Sequence, residues 1–184
     1  TDDLSFSHLL AELVRIDLLI RRQVQRWQAA GQNTEDAFRG LYVSDSEAVA
    51  LLDRPLGSHW GAGAQLSEDI ERAYDQALRH AAQQSASLVD QATARGEVLR
   101  LQKLVDALGL DSFDLDAFLV CVLACLDLRY ERLFGYLQDD VTRKRPGVNL
   151  LLDLLCPPGV ERLHWLPRLA EDAPLFYWSL LEHI

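Results

Sequence analysis

Apolar residues recur every three or four positions at the start of the chain: Phe6, Leu9, Leu13, Ile16, Ile20, Val24 and Trp27, with Arg15, Arg22 and Arg26 between them. That spacing predicts an amphipathic helix with one buried face. Gly31 and Asn33 end it. Leu41-Tyr42-Val43 then reads as a short extended piece. Ser44 and Glu47 stand at capping-box spacing and predict a short helix over 45–52. Between Arg54 and Gln65, Pro55, Gly57, Gly61 and Gly63 surround His59 and Trp60, a composition that sustains no periodic structure. A flexible loop over 54–66 is the expectation.

After the loop, Ser67 is placed to cap a helix whose first turn carries Glu68, Asp69 and Glu71 at the positive end of its dipole. The stripe that follows (Ile70, Ala73 or Tyr74, Ala77, Ala81, Ser85, Leu88) is thin, so this long helix approaches a neighbour closely but buries little per turn. Gly96 interrupts the pattern. Val98, Leu101, Leu104, Val105 and Leu108 resume it, and Gly109 closes it. Asp114 or Ser112 opens a run through Phe118, Leu119, Val122, Leu123 and Leu126 that is apolar on nearly all sides, and so central. Asp127 is placed to cap a helix with Tyr130, Leu133, Phe134 and Leu137. Pro146 suits the first turn of another with Leu150, Leu151, Leu154 and Leu155. Pro157 and Pro158 end that one, and two short helical pieces, over 160–169 and 175–181, complete the chain.

Composition points the same way. Leucine supplies 36 residues and alanine 20, whereas Val, Ile and Thr together supply only 20, a balance that favours helices over pleated sheet. The expected class is all-α, a multi-helix domain. It divides into a helical segment over 1–53, the loop over 54–66 and a helical subdomain over 67–184, compact as one unit. Thr1 leads the chain and methionine is absent, so the sequence reads as a piece of something longer.

A formal net charge of −10 argues against a general nucleic-acid binder, which shows a basic face, and against an anionic membrane surface as partner. No run of 18 apolar residues exists, which excludes a spanning helix in the sequence. Cys121, Cys125 and Cys156 form no CxxC pair, and the first two lie inside an apolar run. They read as reduced core residues of a cytoplasmic protein. His8, His59, His80, His164 and His183 are scattered without ligand spacing, so no metal site is expected.

Enzymatic signatures fail on residue type. A phosphate-binding loop needs glycine directly before its lysine, yet Lys103 and Lys144 follow Gln102 and Arg143. There is no GxSxG and no HExxH. Asp111, Asp114 and Asp116 resemble the start of a calcium loop but lack its turn glycine and have Val122 where a bidentate Glu belongs, so they read as helix-capping acids.

One stretch is unlike the rest. In Asp139-Asp140-Val141-Thr142-Arg143-Lys144-Arg145-Pro146 two carboxylates fall just past one helix and three cations just before the next, each set facing a dipole end of its own sign. Either the two runs pair across the turn as a solvated network, or another surface compensates them. The 21 residues from Leu126 to Pro146, LDLRYERLFGYLQDDVTRKRP, closely resemble a block upstream of the ATPase module in a family of large bacterial AAA+ ATPases that often accompany phage-tail-like contractile injection systems. Leu9 to Trp27, Phe38 to Ser44, Asp172 to Leu175 and Leu180-Leu181 resemble the same family more diffusely.

The resemblance implies a non-catalytic, helical and winged-helix-like N-terminal domain. Its partners would be a client protein or the chain's own ATPase module in a homo-oligomeric ring. ATP and Mg would bind only to that module, since Walker A and Walker B are not in this sequence, and no cofactor is expected here. The candidate interaction surface is Arg129, Tyr130, Arg132, Tyr136, Asp139, Asp140, Arg143, Lys144 and Arg145, rich in the aromatic and arginine residues favoured at interfaces. The alternative is a winged-helix-like nucleic-acid-binding or transcriptional module that uses Arg143, Lys144 and Arg145 beside the helix near Pro146.

Overall fold

In the computed structural model the described residues are 3–30, 45–58 and 66–183. They form eight α-helices and one 3-10 segment: α1 Leu4–Ala29, α2 Asp45–Leu52, α3 Glu68–Ala94, α4 Arg100–Leu108, α5 Ser112–Leu126, α6 Arg129–Leu137, α7 Val148–Leu155, the 3-10 segment Val160–Leu169, and α8 Pro174–Tyr177. No strand occurs among the described residues. The fold is all-α.

The long first helix is the spine. Asp3 caps it by accepting the Phe6 amide at 3.2 Å, and at 1.5 Å per residue its 26 residues span about 39 Å. One side lies along α3, and the rest contacts α4, α5, α6 and α7. Ile16, Ile20 and Trp27 enter a single core with Leu119, Val120 and Leu123 of α5, Phe134 of α6, the leucines of α7, and Leu175 of α8. Central α5 is explained by its composition, since Ala117, Leu119 and Val120 are fully buried and such a helix is stable only inside.

Along α3 much of the interface is made of small and polar groups, with one apolar patch where Leu88 and Val89 pack against Leu4 of α1, Ala92 and Leu99. Ala81, Ser85 and Ala92 are its buried residues, opposite His8, Glu12 and Gln23 of α1. Glu12 accepts a short hydrogen bond from the Ser85 hydroxyl and one at 2.9 Å from Nε of Arg15, whose guanidinium reaches on to Asp116 of α5. Burial lowers the pKa of His8, outweighing nearby Glu12. Further out, Arg26 grips Glu71 through two 2.8 Å bonds and Arg22 meets Asp75 at 3.2 Å. The hydrogen bonds from Arg26 hold the Glu71 carboxyl below the usual range.

Several expectations change in detail. Phe6, placed by its spacing on the buried stripe, is 57% exposed, because the face that meets α3 and the core runs through Leu4, His8, Glu12 and Ile16 instead. Pro146 does not sit inside a helix; α7 begins at Val148 with Gly147 as N-cap. The 160–169 piece is 3-10 rather than α, with Pro167 inside it, and α8 stops after four residues. The N-cap of α5 is Asp111, in a reciprocal capping box with Asp114. Gly109 closes α4 in the left-handed conformation at φ 63°.

The extended piece expected at Leu41-Tyr42-Val43, the cap at Ser44, and 59–65 of the expected loop lie outside the described residues. Before them, Gly57 is held: its carbonyl accepts the Gly159 amide at 3.0 Å, and a side chain at 57 would meet that backbone at 2.5 Å. Among the described residues no helix is long and apolar enough to cross a membrane, and no group of three or more His, Cys, Asp or Glu is placed to hold a metal ion.

Candidate interaction surface

The acidic and basic runs belong to one tightly built turn. At the end of α6 the amides of Asp139 and Asp140 bond back to the carbonyls of Tyr136 and Gly135 at 3.2 and 2.9 Å, and Asp139 takes φ 52°. This is a Schellman ending, which normally prefers glycine at that position. The chain then folds back so closely over Gly135 that a side chain there would meet the Asp140 carbonyl at 3.1 Å. Asp140 accepts the amide and hydroxyl of Thr142 at 2.9 and 2.6 Å. The Thr142 hydroxyl, and then its amide, hold that carboxyl below the usual range.

Gln138 completes the turn. Its side-chain nitrogen donates to the carbonyls of Phe134, Arg143 and Arg145 at 3.1, 3.3 and 2.9 Å, and its oxygen accepts the Gly147 amide at 2.9 Å. One amide group thus serves four backbone groups, and the three cations between them point outward. Arg143 pairs with Asp140 at 3.4 Å, and Lys144 with Glu131 at 3.8 Å. The guanidinium of Arg145 instead contacts the sulfur of Cys125 at 3.5 Å.

Beside this turn runs a groove of about 820 Å³. Arg143, Lys144 and Arg145 line it together with Cys121 and Cys125 of α5, while Leu151, Leu169, Phe176, Leu180 and Leu181 make it apolar. Glu182 is the one carboxylate among its described lining residues, and His183 stacks on Phe176 with ring centres 4.1 Å apart.

The remaining expected residues lie elsewhere. Arg129 and Arg132 are exposed on α6 and do not line the groove. Tyr130 is not on the surface at all: it is 2% exposed, its hydroxyl donating to Asp17 of α1 at 2.7 Å and accepting from Arg129 at 3.0 Å. Burial, and then the bond to Asp17, pushes that phenol up to about 12. Tyr136 is half-buried, edge-on to Trp27 at 6.2 Å. Local spacing places Arg129 and Tyr130 side by side and cannot show that the ring points inward. Nor does any local pattern mark Gln138, or the groove wall around Phe176, although the run Phe176-Tyr177-Trp178 is a visible aromatic signal. Tyr177 and Trp178 are 67% and 50% exposed.

The cysteines also differ from expectation. Cys156 is buried and Cys121 half-buried, but Cys125 is exposed, because the last turn of α5 emerges into solvent with Leu126. Burial, and then Cys125, pushes the Cys121 thiol up to about 12, which starves it of the reactive thiolate. Native alkylation followed by mass spectrometry should therefore label Cys125 first and leave Cys121 and Cys156 slow. Equal rates at Cys121 and Cys125 would contradict this placement.

Residues 3–184 match a family described as "Winged helix domain, variant". No curated protein matches the chain, and no solved structure does.

Proposed function

The chain belongs to the variant winged helix domain family; we propose, from the resemblance of residues 126–146 to a block upstream of the ATPase module in large bacterial AAA+ ATPases, that it is a non-catalytic interaction domain of such an enzyme. In this reading it docks a client protein or the enzyme's own ATPase module in a homo-oligomeric ring in the cytoplasm, while ATP and Mg bind elsewhere in the longer protein. The observation that carries the proposal is the clamped turn at the groove edge. Gln138 holds its backbone in place without using a single side chain of the basic run. A rigid loop that displays Arg143, Lys144 and Arg145 next to an apolar trough has the arrangement of a contact surface.

Replacing Arg143, Lys144 and Arg145 together by Gln tests it. Their ion pairs are exposed, so stability should change by only about 1 kcal/mol or less. In the full-length protein the same change should weaken nucleotide-dependent assembly or client coupling, since truncating charges at a desolvated interface costs about 2–5 kcal/mol. Thermal unfolding of the domain and sedimentation of the full-length protein read the two effects. A large drop in melting temperature with assembly intact would make the turn structural.

The family assignment by itself fits a nucleic-acid-binding or transcriptional module more directly, and the exposed basic run just before α7 is the observation that favours that second reading. Against it stands the net charge of −10. Three cations neutralise at most three phosphates, so duplex binding should be weak with a log–log salt slope no steeper than about −2.7. Sequence-selective binding below micromolar at about 150 mM salt, lost in Arg143→Ala with Arg145→Ala, would put this reading first.

A further inference from the structure

We infer that the groove takes an acidic, amphipathic peptide segment of a partner protein, its apolar face on Leu151, Phe176, Leu180 and Leu181 and its carboxylates on Arg143, Lys144 and Arg145. The inference rests on the interaction role proposed above and gives that partner its chemistry. Leu151 and Leu169 are buried at the base, whereas Phe176, Leu180 and Leu181 are only half-covered along the wall. Apolar surface is therefore left for an occupant. The groove is a half-open trough of about 820 Å³; a small molecule needs a site that encloses most of its surface, whereas a peptide lies along a trough with its outer face in water.

Charge decides which peptide. Three cations face one carboxylate, Glu182, among the described lining residues. Arg143 and Lys144 already have acidic partners at 3.4 and 3.8 Å, whereas among the described residues the Arg145 guanidinium has no carboxylate partner and contacts the Cys125 sulfur. It is the cation with most to gain from an incoming carboxylate. The chain as a whole carries −10, so an acidic segment is repelled by most of the surface and attracted at this edge, which confers register as well as selectivity. The turn is already fixed by Gln138, so docking does not have to order its backbone.

The test is a selection of random peptides displayed on phage against the whole chain, with the enriched peptides then synthesised for titration. Enriched sequences should combine Asp or Glu with Leu, Phe or Trp, and they should shield Cys125 from alkylation. Arg145→Ala should weaken them at least about tenfold, and so should Val148→Glu, which puts a carboxylate at an exposed position in the groove wall without touching the core. Failure to enrich, enrichment of peptides without acids, or indifference to both substitutions overturns the inference. So does displacement of the peptide by duplex DNA at equal charge concentration, which gives the surface to the second reading. If the triple Gln variant breaks assembly while selection yields nothing, only the acidic-peptide inference falls. If acidic peptides bind as described but the triple variant assembles normally, the peptide site stands and the ATPase-domain reading falls.

Discussion

Arg162→Ala is expected to lower the unfolding free energy by about 3–5 kcal/mol, the range for breaking a buried charge pair by deleting one partner. Arg162 and Asp153 are each 2% exposed and meet at 2.6 Å. The guanidinium also donates to the Asn149 carbonyl at 3.1 Å and reaches the carbonyls of Gly57 and Ser58 at 3.4 Å. Removing it takes the charged partner from Asp153 in the interior and the guanidinium contacts from the carbonyls of Asn149, Gly57 and Ser58. At about 2–4 °C per kcal/mol for a domain of this size, the midpoint should fall by roughly 6–20 °C. The double change Arg162→Met with Asp153→Leu should recover much of the loss, since replacing both charges removes the desolvation cost along with the attraction. Circular dichroism melts of the parent protein and the two variants decide it. A single variant that melts with the parent protein would mean that the pair is solvated and the packing around it wrong.

Asp114→Ala should cost about 2–4 kcal/mol, because one carboxylate has two separate duties. Fully buried Asp114 accepts the Asp111 amide at 3.0 Å and thereby closes the capping box of α5. It also holds Arg168, through Nε at 3.2 Å and a shorter bond from the other nitrogen. Loss of the cap alone is worth about 1 kcal/mol; the rest is the cost of a guanidinium left with Asp111, at 3.1 Å, as its remaining carboxylate. Asp111→Ala should do less, since that side chain is 44% exposed and Asp114 keeps its grip on Arg168. Asp114→Asn should fall between, keeping an acceptor for the amide but not the charge. Equal losses for Asp111→Ala and Asp114→Ala in denaturant titration would show that capping is the whole role.

Local periodicity made much of this fold legible. The spans of α1 to α5 follow from apolar spacing, and Gly109 stops α4 as its position predicts. Ser67, however, begins α3 without a side-chain capping bond, the cap of α5 is Asp111 rather than Ser112 or Asp114, and the expected stop of α1 at Gly31 and Asn33 lies outside the described residues. What it misplaced were faces and partners. A stripe defined by apolar residues put Phe6 inside and ignored Glu12, yet Glu12 is buried because Ser85 and Arg15 satisfy it, and Arg15 in turn reaches Asp116. Those partners lie 73 and 101 residues away from Glu12 and Arg15 respectively, beyond any window of local spacing. Tyr130 is the same case, drawn inward by Asp17 at a separation of 113 residues. The basic turn was visible as a charge pattern. The groove beside it was not, because its walls come from α5, α7, the 3-10 segment and the C-terminal residues, which become neighbours only after folding.

The contacts of Gln138 go to main-chain carbonyls and one main-chain amide, never to the side chains at 143, 144 or 145. Shape and identity are thereby uncoupled: the loop keeps its path whatever those three positions carry, in the way that a keyed socket accepts different pins. Relatives of this chain could exchange one set of side chains for another and change what they grasp without first having to rebuild the fold. The same uncoupling makes the loop a graft site, where a specificity chosen in the laboratory could be installed at three consecutive codons, provided that Gln138 and Gly147 are left alone.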